Sequence, residues 1–170
     1  MELATCKLSI AFKKTLIICR LRCILICSFF YSPVQENLRW SCDNSTADRI
    51  CNYNRHYAER SGYFKTRKDF LTDTNNFTKL TFYDSNTGNP LFVVGGDPTK
   101  RSMEEFLKES ASHGWPSFRD DEVNWEHVRV LKNGETVSKD GTHLGHNLPD
   151  RKGSRYCINL VSVAGNPTSK

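Results

Sequence analysis

A chain of 170 residues with 38% hydrophobic residues has material for one modest core and suits one domain with an extension. The net charge of +5 is mild, and much of the excess lies in the first 22 residues, so no long basic run is present to grip nucleic acid. Arg55, Arg60, Lys65, Arg67 and Lys68 among Tyr53, Tyr57, Tyr63 and Phe64 are the nearest approach, and they read as a solvated, partly helical surface.

Residues 1–32 read as a signal peptide or signal anchor. Basic residues lead into the apolar run Cys23–Tyr31, which is shorter than the ~20 residues that span a bilayer, and Pro33 stops any helix there. The expected destination is the secretory pathway, secreted or in the ER lumen; the rarity of acidic residues before Glu36 makes a mitochondrial presequence the alternative. The sequons Asn44-Ser45-Thr46 and Asn76-Phe77-Thr78 agree with a lumenal route. In an oxidising lumen Cys42 and Cys51 are natural disulfide partners, closing a loop of about ten residues.

Residues 33–75 are polar without a clear apolar period and read as an extension with some helical tendency. From Leu80 the pattern changes. Leu80–Tyr83 and Leu91–Val94 read as strands around the turn Asn86–Pro90. Ser102, with Glu105 three residues on and Phe106 next, marks a capped helix expected to run to about Ser110. Val128–Leu131 and Glu135–Val137 flank Asn133-Gly134, the preferred pair for a two-residue hairpin turn. Tyr156–Val163 reads as a β-branched final strand, and residues 166–170 as a tail. The sum is a mainly β domain over residues 76–165 with one or two short helices, expected to be monomeric.

The chemistry concentrates in two places. His143-Leu144-Gly145-His146 sets two imidazoles three residues apart, with Asp150 close behind. Arg155, Cys157 and Asn159 share one face of a strand, because strand side chains alternate with period two. A thiol beside a guanidinium is expected to have a lowered pKa, and the thiolate is the nucleophile; an inert buried cysteine is the other reading. His143, His146 and Cys157 suggest a metal site, but without a C-x-x-C or a second nearby cysteine a closed zinc site lacks ligands. Trp115, in Gly114-Trp115-Pro116-Ser117-Phe118, serves either as an apolar wall for a small substrate or as a core anchor.

Taken together, Gly114–Phe118, the His143–His146 element followed by Pro149-Asp150, and Gly153–Asn159 resemble the methionine-R-sulfoxide reductase family in order and spacing. The resemblance covers residues ~77–165. It implies two antiparallel sheets packed as a β-tent, and an oxidoreductase that repairs oxidised methionine, protein-bound or free. In that scheme Cys157 attacks the sulfoxide sulfur and becomes a sulfenic acid. His143 and His146 protonate and hydrogen-bond the oxygen, Asp150 positions them, Arg155 stabilises the thiolate, and Asn159 orients groups around it. Trp115 and Phe118 bind the substrate. Many relatives hold a structural zinc with two C-x-x-C pairs, whose positions carry Asp84, Thr87, Val137 and Asp140 here, so no zinc is expected.

No cysteine lies in the 105 residues between Cys51 and Cys157 to resolve a sulfenic acid. Either Cys42 or Cys51 reaches across, or an external thiol, small or thioredoxin-like, reduces Cys157 directly, which is the preferred reading. No bound cofactor is expected. The alternatives to a reductase are an inactive β-tent binding module and a thiol redox sensor.

Overall fold

In the computed structural model, which describes residues 32–53 and 57–168, the strands form two antiparallel sheets. The smaller pairs β1 (Lys79–Tyr83) with β2 (Pro90–Gly95), as the alternating apolar pattern predicts, with Leu80 opposite Val94 and Phe82 opposite Phe92. The larger contains β3 (Ser117–Phe118), β4 (Val128–Val130), β5 (Glu135–Ser138), β6 (His143–Asn147) and β7 (Tyr156–Ile158) in the order β3-β7-β6-β5-β4. Three α-helices accompany them among the described residues: α1 (Asn44–Asp48), α2 (Lys68–Asn76) and α3 (Met103–His113). The mainly β expectation, with two antiparallel sheets, holds.

Local departures from the expected elements have identifiable causes. Helix α3 opens on the Ser102–Glu105 capping box but continues to His113, where Gly114 ends it in the left-handed conformation at φ 89°. The β4–β5 hairpin turns through three residues rather than two: Leu131 N–H donates to Glu135 O, and Gly134, at φ 86°, occupies the left-handed position that such a loop requires. The last strand stops at Ile158, and Leu160–Ser162 form a 3₁₀ turn instead of continuing it.

Residues 33–75 are not a polar appendage. Leu38, Trp40, Cys42, Ala47, Ile50, Phe64 and Phe70 are buried in the same core as the strands. Trp40 meets Phe70 edge-on at 5.1 Å and lies 5.6 Å from Phe82 of β1. These side chains come from helical segments of three to nine residues and the loops beside them, too short to print a period on the sequence. Burying each large one contributes ~1.5–3 kcal/mol.

The targeting segment proposed for residues 1–32 lies, apart from Ser32, outside the described residues. No helix among the described residues is long and apolar enough to cross a membrane. Of the two sequons, Asn44 uses its side-chain amide to donate to Gln35 O and Glu36 O, while Asn76 is exposed at the end of α2.

Phe118 belongs to this core and not to a substrate site. Its ring is fully buried, stacks on Phe92 at 4.2 Å and meets Phe82 edge-on at 4.9 Å. Phe118→Ala should therefore lose about 3–5 kcal/mol in urea unfolding. Trp40→Ala should cost a similar amount. A chain beginning at residue 76 should show no cooperative transition, whereas a separable domain would keep one.

Candidate active site

The site is built on the pairing of β6 with β7. His146 stands directly across from Cys157, and Gly145 across from Ile158. Directly opposed residues hold their Cβ atoms about 4.5–5.5 Å apart, so the imidazole and the thiol are neighbours by register alone. Gly145 permits this approach, because a methyl group there would overlap the carbonyl oxygen of Cys157. Within β7, Tyr156 and Ile158 are buried on one face while Cys157, on the other, is half-exposed.

Cys157 opens into a cavity of ≈ 200 Å³ whose wall also includes His143, His146, Asn159 and Trp115. Five of the residues singled out in the sequence are thus gathered from β6, β7, the turn after β7 and the α3–β3 loop. Gly145 and the exposed residues Tyr57, Ala58 and Leu148 complete the lining; nothing in the sequence pointed to Tyr57 or Ala58. A larger groove of ≈ 730 Å³ near Phe77 and Gly96 contains neither thiol nor imidazole.

Hydrogen bonds fix the parts. His143 Nδ1 lies 2.9 Å from Glu135 Oε1, and against a carboxylate that nitrogen is the protonated one. The two imidazole centroids are 5.5 Å apart. Asn159 spends its side chain on the backbone: Nδ2 donates to Leu144 O at 3.1 Å, and Oδ1 accepts from Glu59 N–H at 3.1 Å. Trp115 Nε1 donates to Glu59 O at 3.0 Å. Glu135 is visible in hindsight, since the β5–β6 register sets it opposite His146. Glu59 has no local sequence signal.

The thiol corrects one electrostatic expectation. Burial pushes Cys157 above its ordinary value of 9.0, and Arg155, by charge and hydrogen bond, pulls it down without prevailing; Glu59 pushes it further up. Arg155 is itself buried; among the described residues its Nε and Nη1 have no hydrogen-bond partner, and Nε lies 3.6 Å from Asp150 Oδ2. Asp150 is not the partner of the imidazoles. Its carboxylate grips Arg119 through both oxygens at 3.0 and 2.7 Å, and that pairing holds its pKa well below the usual carboxylate range. Arg119 in turn binds Glu109 of α3, so Asp150 bridges that ion pair and Arg155, two residues before Cys157.

Cys42 and Cys51 are both free and buried, against the expected disulfide. Cys51 Sγ–H donates to Ser162 Oγ at 3.6 Å, and Tyr63 hydrogen-bonds Cys42. Burial is the main cause that pushes both thiols up to about 12, which leaves almost no thiolate at neutral pH.

The residues at the zinc positions do not fit that metal. Val137 offers no ligand atom, and Asp84 is a buried carboxylate that accepts Thr142 Oγ1–H at 3.0 Å and Asn86 N–H at 2.9 Å. Glu109, His113 and Asp150 bring ligand atoms within 4.8 Å of one another, yet both carboxylates are ion-paired to Arg119.

No family model matches the chain. An alignment of 67 positions, which covers 33% of this chain, is 40% identical to the peptide methionine sulfoxide reductase MsrB of Methanosarcina mazei and covers 47% of that protein. The chain spans about half the length of the relative it matches, and over that part it is similar to an MsrB protein.

Proposed function

We propose that this cavity reduces methionine R-sulfoxide to methionine with Cys157 as the nucleophile. The observation that carries the reading is the gathering of one thiol, two imidazoles and one indole around ≈ 200 Å³. At roughly 30 Å³ per water, that space suits a short side chain, and it falls below the ~300 Å³ at which drug-sized ligand sites begin. The partial similarity to an MsrB protein supports the same chemistry.

Cys157 Sγ attacks the sulfoxide sulfur, the S–O bond breaks, and the oxygen passes to Cys157 as a sulfenic acid while the substrate leaves as a thioether. The oxygen needs a proton as this happens. A thiol held above 9.0 is still protonated at neutral pH, so it supplies both the electron pair and the proton. His146, opposite Cys157, and His143, anchored by Glu135, form the relay that takes the thiol proton and delivers it to the oxygen. Trp115 packs against the substrate methyl group.

The sulfenic acid is then reduced from outside. Two external thiol groups, from a small thiol or a thioredoxin-like donor, give water, a disulfide and regenerated Cys157. The buried, protonated state of Cys42 and Cys51 favours this route over internal resolution.

With excess dithiothreitol, the R epimer of a blocked methionine sulfoxide should be turned over and the S epimer should not. Cys157→Ser should abolish activity, and the double change Cys42→Ser with Cys51→Ser should leave the rate within about twofold. Absence of product from either epimer would sink the assignment. His146→Asn should lower kcat by about 10²–10⁴.

The two pH profiles should also part. Iodoacetamide alkylation of Cys157 consumes thiolate and should keep rising through pH 9.0, while sulfoxide turnover, which needs the thiol proton, should hold through that pH and fall only above it. Arg155→Met should slow alkylation at pH 7 about tenfold, because the opposing charge that lowers the thiol is gone.

A further inference from the structure

Glu59 makes more contacts with the site than its place in the sequence suggests. Its neighbours Tyr57, Ala58 and Arg60 are exposed, yet Glu59 itself is only 3% exposed. Its carboxylate accepts Leu160 N–H at Oε1, 2.8 Å, and Val161 N–H at Oε2, 3.1 Å, the first two amides of the 3₁₀ turn that follows β7. Its own N–H donates to Asn159 Oδ1, and its carbonyl accepts the indole N–H of Trp115. One residue thereby ties together the end of the thiol strand, the amide and the indole, while Tyr57 and Ala58 beside it line the cavity.

A carboxylate is a costly way to cap a turn. Burying the charge carries a desolvation penalty, which a neutral acceptor avoids. What the charge adds is a second acceptor oxygen and an electrostatic reach to the thiol. We propose that Glu59 is a positioning residue of this site, locking segment 57–60 onto the turn after Cys157 so that Trp115 and Asn159 keep their places in the cavity wall. The role rests on the reading of the cavity as a thiol-dependent sulfoxide reductase.

The electrostatics agree. Burial pushes the Glu59 carboxyl up to about 7, against the two amide bonds and Arg67, which pull it down. The other titratable groups facing it are Tyr63, Cys42, Cys51 and Cys157, and its charge raises the ordinary value of each. The folded chain holds this proton more tightly than the unfolded one, whose value is 4.5. Its contribution to stability is therefore fully present below about pH 4.5 and is lost as pH rises to about 7.

Two variants test the role. Glu59→Gln keeps the shape and one acceptor but removes the charge. It should shift the Cys157 alkylation profile to lower pH, flatten the stability change between pH 4.5 and 7, and keep KM for the R-sulfoxide within about threefold. Glu59→Ala releases the segment and should raise KM about tenfold or more, with a smaller loss in kcat. Unchanged alkylation and unchanged KM in both variants would overturn the proposal. A Glu59→Gln chain that fails to fold would also overturn it, in favour of a purely structural cap. If the unaltered protein turns over neither epimer, the reductase reading fails separately, and the alkylation shift still reports whether Glu59 acts on the thiol.

Discussion

The antiparallel register of β6 against β7 is the constraint on which the site depends. Placing His146 across from Cys157 requires a glycine at 145, since any side chain there would run into the carbonyl of Cys157. Given that register, β3 closes on the other side with Ser117 opposite Cys157, and Trp115 two residues earlier reaches the same cavity. A one-residue slip would turn Cys157 into the core and expose Tyr156 and Ile158, so packing of the buried face enforces the chemistry of the open one.

Burial, more than local charge, sets the character of the thiol. Arg155 lies close enough to favour thiolate, but removal from water outweighs it. A protonated resting thiol suits a reaction that must hand a proton to oxygen, and it limits unproductive oxidation, since thiolate is the oxidisable form. Behind the site, the ion pairs of Arg119 with Glu109 and Asp150 connect α3 to the loop that carries Arg155. On the far side, Asp84 binds Thr142 and Asn89 binds Asp140, so hydrogen bonds hold these loops to one another.

Much of this was legible in the sequence because it resides in local rules. Alternation predicts β1 and β2, the Ser102–Glu105 box predicts the start of α3, and the motifs bearing Trp115, His143, His146, Cys157 and Asn159 converge on one cavity. What escaped depends on long-range geometry. Glu59 hydrogen-bonds residues about 100 positions away, and the places of Phe118 in the core and Asp150 on Arg119 follow from which way each side chain turns, which adjacency in a motif does not display. The share of the core held by residues 33–75 was hidden for a related reason: short turns carry their buried residues at irregular spacing. The thiol shift was misjudged because sequence displays neighbouring charges and does not display burial.

In the proposed reaction the oxygen of the substrate is transferred to Cys157. This transfer is tested most directly by mixing reductant-free protein with an excess of the R-sulfoxide and measuring methionine released together with the mass of the peptide containing Cys157. Transfer to Cys157 yields one methionine per protein molecule and a single added oxygen on Cys157, removable by dithiothreitol. Methionine without modification of Cys157, or the added oxygen located on another residue, would contradict it.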